Sequence, residues 1–343
     1  MNYEKYIPKE IFLGIPEEQM LYNFLHMKNR PKNPNAPLIL KEKKELLNTI
    51  SKRINRNISK VNLLYIRGKF RFGNFLIVLN NAIFFCELLG CKRMIFQCLK
   101  DLFINKTIYY EKYNMTIEPD KAYDHSDPNS ILLESNFFYL YHKYIKPESR
   151  FFVFKKEILN NLPKIDIHPD DLYIHIRSNE IFTGHYETYS QPPFCFYKEI
   201  INNFKFRKIF IIAENELNPV INKILTDFPS VQYNKNSFDI DVAYLANAYN
   251  IVASISSFLL SNIKLNDNLK NLWEYDLYRL TEKYFHLHHS VYKIPHKYNI
   301  YRMNPSKKYK TFMYKWLNTF EQRELMINEK CTKKFLKIFP KQF

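Results

Sequence analysis

Glycine is scarce in this chain of 343 residues, which contains only five where about 7% of residues is usual. With so few, the sequence has neither a G-x-G-x-x-G dinucleotide fingerprint nor a G-x-x-x-x-G-K-[ST] phosphate loop, which excludes both familiar nucleotide-binding classes. Three of the five, Gly68, Gly73 and Gly90, fall within one short stretch. Each is expected where a side chain would not be tolerated.

Long apolar runs and a usable cysteine pattern are also missing. No window reaches about 18 uninterrupted apolar residues, and the N-terminus lacks the apolar core of a signal peptide. The spacing of the five cysteines matches no zinc motif, so reduced, mostly buried thiols are expected. Together these features predict a cytoplasmic location. The cysteines are Cys86, Cys91, Cys98, Cys195 and Cys331.

Positive charge is abundant but unevenly placed. The formal net charge is +17, and it is concentrated in the flanking segments 28–60 and 303–343, whereas residues 161–290 carry more acidic than basic side chains. Basic flanks of this kind could contact a membrane surface or an acidic partner, or simply be solvated. A nucleic-acid binder is a third possibility, but no known binding module is visible.

The order of apolar segments predicts an α/β protein. A strand at 61–66 is followed by a turn and a long helix at 75–89. From 172 to 255, strands at 172–176, 208–213, 231–233 and 251–255 alternate with helices, which predicts a doubly wound parallel sheet. The expected domains are 1–160, 161–290 and a C-terminal helix with a basic tail at 291–343.

A stripe of apolar residues at helical spacing ends the chain, and it predicts an amphipathic helix packed on the core. Its members are Tyr309, Phe312, Met313, Trp316, Leu317 and Phe320.

Three short segments could carry chemistry. YIHIRSNEIF at 173–182 places Arg177 at the end of a predicted strand, where its rigid fork of donors suits a diphosphate; a plain surface arginine is the alternative. Arg71-Phe72-Gly73-Asn74 lies between a strand and a helix start, where an anion could approach the backbone; a simple capped turn is the alternative.

The third segment is DVAYLANAYNIVASISSF, from Asp241 to Phe258. Asp241 begins a helix, and Ser256 and Ser257 follow the next strand. Hydroxyl and backbone N–H groups at a helix start form a suitable seat for a phosphate or a sugar. Two ordinary helix caps would give the same pattern.

In their order, these segments resemble the GDP-fucose-dependent fucosyltransferases with two Rossmann-type domains (GT-B type). FRFGN at 70–74 is similar to the G-R-F-G-N segment of protein O-fucosyltransferases. HIRSNE at 175–180 is similar to the H-[VIL]-R-x-[GT]-[DE] motif of the α1,2-, α1,6- and protein O-fucosyltransferases. FIIAEN at 210–215 stands where the family has a strand ending in Ser/Thr-Asp-Asp, so Glu214 and Asn215 depart from the pattern.

The resemblance implies a GT-B-like fold with two doubly wound domains facing a cleft, and inverting, metal-independent transfer of a sugar, with GDP-fucose as the donor and no cofactor. The acceptor would be a glycan or protein hydroxyl. Arg177 would hold the β-phosphate with His175 beside it. Arg71 and Asn74 would approach the fucose and the acceptor from the N-terminal domain, Asn74 as a catalytic residue, and Gly73 would let the backbone come close to the donor. Asp241 would recognise the nucleoside, and the diphosphate pocket would be closed by Ser256, Ser257 and Phe258.

The base that takes the acceptor proton is less well defined. In the α1,6 enzymes a glutamate follows the motif arginine by eight positions, so the resemblance implies His185 as the base, with Glu180 and Glu187 as alternatives. A GT-B transferase using another nucleotide sugar, or an inactive protein that binds sugar nucleotides or glycans, would account for the same motifs.

Overall fold

The computed structural model describes residues 48, 62–67, 71–111, 114–119, 130–134, 154–184, 189–276, 297–332 and 334–338. The chain divides into two compact units, Met1–Asn161 and Leu162–Phe343. Each contains a largely parallel sheet and helices, which confirms the α/β fold class. The predicted domain boundaries and the cleft between domains stay predictions.

The first unit is built on a five-stranded sheet of order β3-β4-β2-β1-β5, parallel except for the β3–β4 pair. Its strands are β1 (Leu63–Arg67), β2 (Arg93–Phe96), β3 (Ile108–Tyr110), β4 (Met115–Pro119) and β5 (Ser130–Glu134). Its helices are α1 (Phe72–Leu89), a 3-10 helix (Gln97–Leu102) and α2 (Lys155–Asn161). Helix α1 buries Val78, Ala82 and Cys86, spaced four residues apart on one face.

The second unit is built on a seven-stranded sheet of order β12-β11-β10-β9-β6-β7-β8, antiparallel only at β12. Its strands are β6 (Leu172–His175), β7 (Ile209–Ile212), β8 (Val231–Tyr233), β9 (Asn250–Ala253), β10 (Asn271–Tyr275), β11 (Asn299–Met303) and β12 (Leu336–Ile338). Its helices are a 3-10 helix (Asn179–Phe182), α3 (Phe194–Asn203), α4 (Pro219–Asp227), α5 (Phe238–Asn247), α6 (Ser257–Leu265), α7 (Lys307–Phe312) and α8 (Phe320–Asn328).

The centre of the second sheet lies at β6, whose four residues are all buried, as expected for a strand covered on both faces. From β6 the chain moves to β7 and β8 on one side, and then crosses to β9, β10 and β11 on the other. The carboxyl ends of β6 and β9 therefore form a topological switch point, the place where doubly wound sheets bind ligands. The first unit has a switch point of the same kind at β1, because β2 lies on one side of β1 and β5 on the other.

A ladder of asparagine side chains fixes the register of this sheet at the opposite, amino end. Asn299 donates to Asn271 at 3.0 Å, and Asn271 donates to Asn250 at 2.8 Å. Asn250 in turn donates to the carbonyl oxygens of Pro169 and Asp171 at 2.7 and 3.0 Å. The amides thus satisfy one another across β9, β10 and β11, and they hold these three strands in register.

The predicted continuous helix from Tyr309 to Phe320 is wrong. Helix α7 ends at Phe312, and α8 begins at Phe320. Asn318 in the connecting segment has φ 58°, a left-handed conformation that an α-helix cannot continue through. The inward-facing part of the stripe does pack on the core, through Tyr309, Met313 and Trp316, all 0% exposed.

The remaining members of the stripe are on the surface. Exposed fractions are 47% for Phe312, 41% for Leu317 and 73% for Phe320.

The prediction that all cysteines are reduced is also wrong. Cys195, in the first turn of α3, and Cys331, just after α8, form a disulfide across 136 residues of sequence. Sequence spacing gave no hint of this bond because the fold alone brings the two ends together. Cys86 and Cys91 are free and buried, as expected.

None of the helices in the described part of the chain is both long and apolar enough to span a membrane.

Candidate functional site

The switch point of the second unit is occupied by polar side chains that follow β6 and β9. Nδ1 of His175 lies 2.8 Å from Oγ of Ser254, and the same hydroxyl accepts from the backbone N–H of Arg177 at 3.0 Å. All three residues are buried, with exposed fractions of 9% or less. The two strand ends are therefore joined through one hydroxyl group.

His175 is held in its neutral form. Burial, together with the positive charge of Arg177, lowers its pKa to about 3. Because Ser254 Oγ accepts from Arg177, its own proton can be donated to Nδ1 of His175, which leaves the ring proton on Nε2. His175 can thus offer one N–H donor to a ligand, but it adds no charge.

The guanidinium of Arg177 is the cationic group of this site. Its Nη1 donates to Glu214 Oε1 at 3.2 Å, and its Nη2 pairs with Glu180 Oε1. Cζ of Arg177 lies 6.0 Å from the centroid of the Tyr189 ring. Nε is buried and has no hydrogen-bond partner among the described residues, and such a buried donor is a place where an acceptor is expected to bind.

The backbone after Arg177 is fixed by two asparagines. Asn215 Oδ1 accepts from Ser178 Oγ at 2.6 Å and from the Asn179 N–H at 3.2 Å. Asn218 donates to the Arg177 carbonyl at 3.0 Å. Asn179 has φ 62°, a left-handed conformation that asparagine adopts more readily than most residues.

Helix α6 begins at the same edge of the sheet. Ser256 caps it by accepting from the Phe258 N–H at 3.1 Å, as predicted from the Ser-Ser pattern, and Ser257 is its first residue. The Phe258 ring lies 5.7 Å from the His175 ring and 5.7 Å from that of Phe238, the first residue of α5. A row of rings therefore connects the starts of α5 and α6 with the end of β6.

Asp241 lies in the first turn of α5. In the described part of the chain its hydrogen-bond donor is Asn236, at 3.0 Å. Burial raises the pKa of its carboxyl group to about 6, with smaller contributions from the charges of Glu214 and Asp239. A half-buried carboxylate with no cation beside it in the described part of the chain is costly, so the position suits a ligand that supplies N–H donors.

The candidate residues of the first unit lie at its own switch point, after β1. Arg71 is exposed, Gly73 is buried in the first turn of α1, and Asn74 is the third residue of that helix rather than its cap. The Arg71 carbonyl accepts from the Asn74 and Phe75 N–H groups at 2.9 and 3.0 Å. Asn74 Oδ1 is buried without a hydrogen-bond partner among the described residues.

The structure therefore brings together His175, Arg177, Asp241, Ser256, Ser257 and Phe258 at one edge of the second sheet, whereas Arg71, Gly73 and Asn74 belong to the other unit. His185 and Glu187 lie outside the described residues. Across the described ranges, no three His, Cys, Asp or Glu side chains are grouped as a metal ion would require.

Sequence reasoning missed Ser254 and the role of Glu214. Ser254 directly follows β9 and is the group that joins the two strand ends. A serine immediately after the buried apolar strand β9 was the available signal. Glu214 stood out only as a departure from a motif, yet it is one of the two carboxylates that hold Arg177.

No protein-family model matches the chain, and no curated protein matches it either. A solved structure of NodZ α1,6-fucosyltransferase soaked with GDP-fucose is similar over 64% of this chain and 96% of its own, with 12% identity and a TM-score of 0.36. A structure of POFUT1 in complex with GDP is similar over 61% of this chain and 95% of its own, with 11% identity and a TM-score of 0.32. Similarity at this level assigns no function.

Proposed function

We propose that the chain is a glycosyltransferase that transfers a sugar, L-fucose, from GDP-fucose to a glycan or protein hydroxyl with inversion at the anomeric carbon. The observation that carries the proposal is the buried Arg177 at the switch point of a doubly wound sheet, with an Nε that has no hydrogen-bond partner in the described part of the chain. The motif order around it supports the sugar-nucleotide class.

The donor diphosphate would be held by Arg177, the His175 Nε2–H and the first-turn N–H groups of α6 other than that of Phe258, which Ser256 caps. A helix leaves those N–H groups without intrahelical partners, and they favour an anion. As the bond between the anomeric carbon and the phosphate oxygen breaks, negative charge grows on the departing GDP. A preorganised guanidinium in a buried site stabilises that charge.

The diphosphate must also compete with the protein's own carboxylates. Glu214 and Glu180 both contact the guanidinium, and Glu214 is the more exposed of the two, at 41% against 26% for its side chain. We propose that Glu214 moves away when the donor binds, while Glu180, three residues from Arg177, keeps the guanidinium oriented.

Asp241 would accept from the N1–H and N2–H₂ groups of guanine, the common base that presents two adjacent donors of this kind. His185 remains the proposed general base for the acceptor hydroxyl, with Glu187 as its alternative. Because Glu180 is engaged with Arg177, it is less suitable than either for that role. We likewise propose a metal-independent mechanism, a glycan or protein acceptor and a cytoplasmic location. The Cys195–Cys331 disulfide bears on the last of these, because disulfides are typical of oxidising compartments.

A comparison of GDP, UDP, ADP and CMP by thermal shift tests the donor assignment, since a ligand that binds the folded state raises its melting temperature. GDP should stabilise the protein most, and Arg177→Lys should abolish that shift because an ammonium group lacks the planar fork of donors. Arg207→Lys is the matched control: Arg207 also pairs with a carboxylate, Asp171, but at the amino end of β6.

Turnover completes the test. Arg177→Ala should lower transfer from GDP-fucose by about 100-fold or more. Stabilisation by none of the four nucleotides would overturn the donor site, stabilisation by UDP alone would indicate another sugar nucleotide, and GDP binding without any transfer would indicate an inactive binding protein.

A further inference from the structure

The segment between α7 and α8 carries an unusual concentration of exposed apolar side chains. Phe312, Tyr314, Leu317 and Phe320 have exposed fractions of 47%, 47%, 41% and 73%. Single exposed apolar residues are common, but four within nine residues of sequence are not accounted for by chance exposure alone. We call these four residues the apolar patch.

One buried side chain holds the segment of the apolar patch together. Gln322, 4% exposed, donates to the carbonyl oxygens of Phe312 and Lys315 at 3.2 and 2.6 Å and accepts from the Leu317 N–H at 2.9 Å. Three points of the backbone are thus within hydrogen-bond distance of a single amide, and Phe320 is two residues away from it. The backbone from Phe312 to Leu317, which carries three of the four exposed side chains, is therefore held close to this one amide.

The inner side of the segment is fixed to the core. Trp316 donates to the Ile181 carbonyl at 2.7 Å, Ser190 donates to the Met313 carbonyl, and Arg323 donates to the Phe182 carbonyl at 3.1 Å. The apolar patch is therefore presented by an anchored loop, whose outward side chains are not exposed merely because the loop is loose.

Lysines predominate in the charge around the apolar patch, and exposed Glu321 and Glu324 follow Phe320 in α8. Residues 307–320 contain four lysines and no acidic residue. Lys307, Lys308, Lys310 and Lys315 are all exposed. Aromatic and leucine side chains bordered by lysines match the boundary between the headgroups and acyl chains of an anionic bilayer, where apolar groups insert and ammonium groups meet lipid phosphates.

Other partners fit this surface less well. Lysine is depleted from protein–protein interfaces, and no arginine occurs in residues 307–320. Single-stranded nucleic acid is usually bound in a groove with aromatic stacking platforms. Phe320 is 73% exposed, which is more than a ring lining a groove would be.

We propose that the apolar patch and its lysines bind the surface of a membrane containing anionic phospholipid. This proposal does not depend on the proposed transferase activity, because it uses none of the residues assigned to the donor site.

Co-sedimentation of the full chain with lipid vesicles tests it. We expect binding to vesicles of phosphatidylcholine with phosphatidylserine, little binding to phosphatidylcholine alone, and weakening by salt. Phe312→Ser/Phe320→Ser should lower the partition coefficient by at least about tenfold through loss of apolar insertion. Lys307→Gln/Lys308→Gln/Lys310→Gln should lower it at least as much, since each lysine near an anionic surface contributes about fivefold.

Matched controls separate the patch from general effects of charge and hydrophobicity. Lys198→Gln/Lys205→Gln/Lys208→Gln removes the same charge from exposed positions elsewhere in the second unit, and Tyr109→Ser removes an aromatic side chain that is 60% exposed in the first. Both control variants should bind vesicles as the unaltered chain does. Since the basic segment 28–60 is unchanged in every variant, it cannot cause a difference between the patch variants and the controls.

Three results would overturn the proposal: no binding of the unaltered chain to anionic vesicles, equal binding by the patch variants, or equal loss in the controls. Binding to a single-stranded RNA oligonucleotide that requires the same residues, without vesicle binding, would assign the surface to nucleic acid instead. Because the lysine variant alters only exposed side chains, its melting temperature should be unchanged, so it stays informative if the serine variant folds poorly.

Discussion

Replacing Asp241 by asparagine should change nucleotide binding and stability in opposite directions. The substitution keeps the shape of the side chain and removes its charge. If Asp241 accepts from guanine N1–H and N2–H₂, the amide can satisfy only part of that pattern, and an unpaired donor costs about 1–3 kcal/mol. GDP should therefore bind about ten- to a hundredfold more weakly, while UDP and ADP are hardly affected.

The stability change follows from the pKa of the same group. Burial raises it from 3.8 to about 6 in the folded protein, so the folded state holds the proton more tightly than the unfolded state. The corresponding stabilisation is complete below pH 4 and is lost as pH rises through 6. At 1.36 kcal/mol per pH unit this amounts to about 3 kcal/mol, and partial exposure of the side chain reduces it to about 1–3 kcal/mol.

At pH 7 Asp241→Asn should therefore be more stable than the unaltered protein, with an advantage that disappears between pH 6 and 4. Calorimetric titration with GDP, UDP and ADP, together with unfolding at several pH values, measures both effects. GDP binding by the unaltered protein should also weaken below pH 6, because the protonated carboxyl group is a poorer acceptor, and this dependence should be absent from the variant.

Asp239→Asn is the matched control, two residues earlier on the same helix. Its pKa is lowered, chiefly by a hydrogen bond from Ser237, so its replacement should slightly destabilise the protein and leave GDP affinity unchanged. The reasoning would be refuted if Asp241→Asn lost all three nucleotides equally, or if the unaltered protein bound UDP as tightly as GDP.

Three further predictions concern the same unit. Glu214→Gln should tighten GDP binding by about two- to fivefold, because the ion pair of an exposed carboxylate with Arg177 is worth roughly 0.2–1 kcal/mol. Titration with GDP should show no gain in affinity for the control Glu216→Gln. A loss of affinity in Glu214→Gln would instead make Glu214 a ligand-binding group. Reduction of Cys195–Cys331 should lower the free energy of unfolding by about 2–5 kcal/mol, since the bond closes a long loop. In denaturant unfolding, the stability of the control Cys331→Ser should not depend on reductant. Equal stability of the unaltered protein with and without reductant would contradict the bond. Transfer from GDP-fucose should persist in EDTA, and loss restored by Mn²⁺ would point to a metal-dependent enzyme.

Much of the second unit could be predicted from sequence because local signals there agree. Leu172–His175 is a short apolar run followed by Arg177, and Ser256 is a helix cap after another such run. Apolar period, strand length and caps depend on neighbours a few residues away. They therefore located the carboxyl edge of the sheet and the residue types found there.

The C-terminal stripe shows where such signals stop. Its spacing correctly identified Tyr309, Met313 and Trp316 as core, but the helix ends at Phe312. The left-handed Asn318 and the three hydrogen bonds of Gln322 hold the chain in another path. Which apolar residues face outward was decided by those contacts and not by the 3.6-residue period.

The sequence by itself thus determined the α/β class, the order of elements and the position of Arg177 at a strand end. Tertiary structure alone decided that Ser254 joins His175 across 79 residues, and that Cys195 meets Cys331 across 136. Contacts at such separations leave no periodic trace, because they depend on the order in which strands enter the sheet. That order places β6 beside β9, and this neighbour relation creates the candidate site.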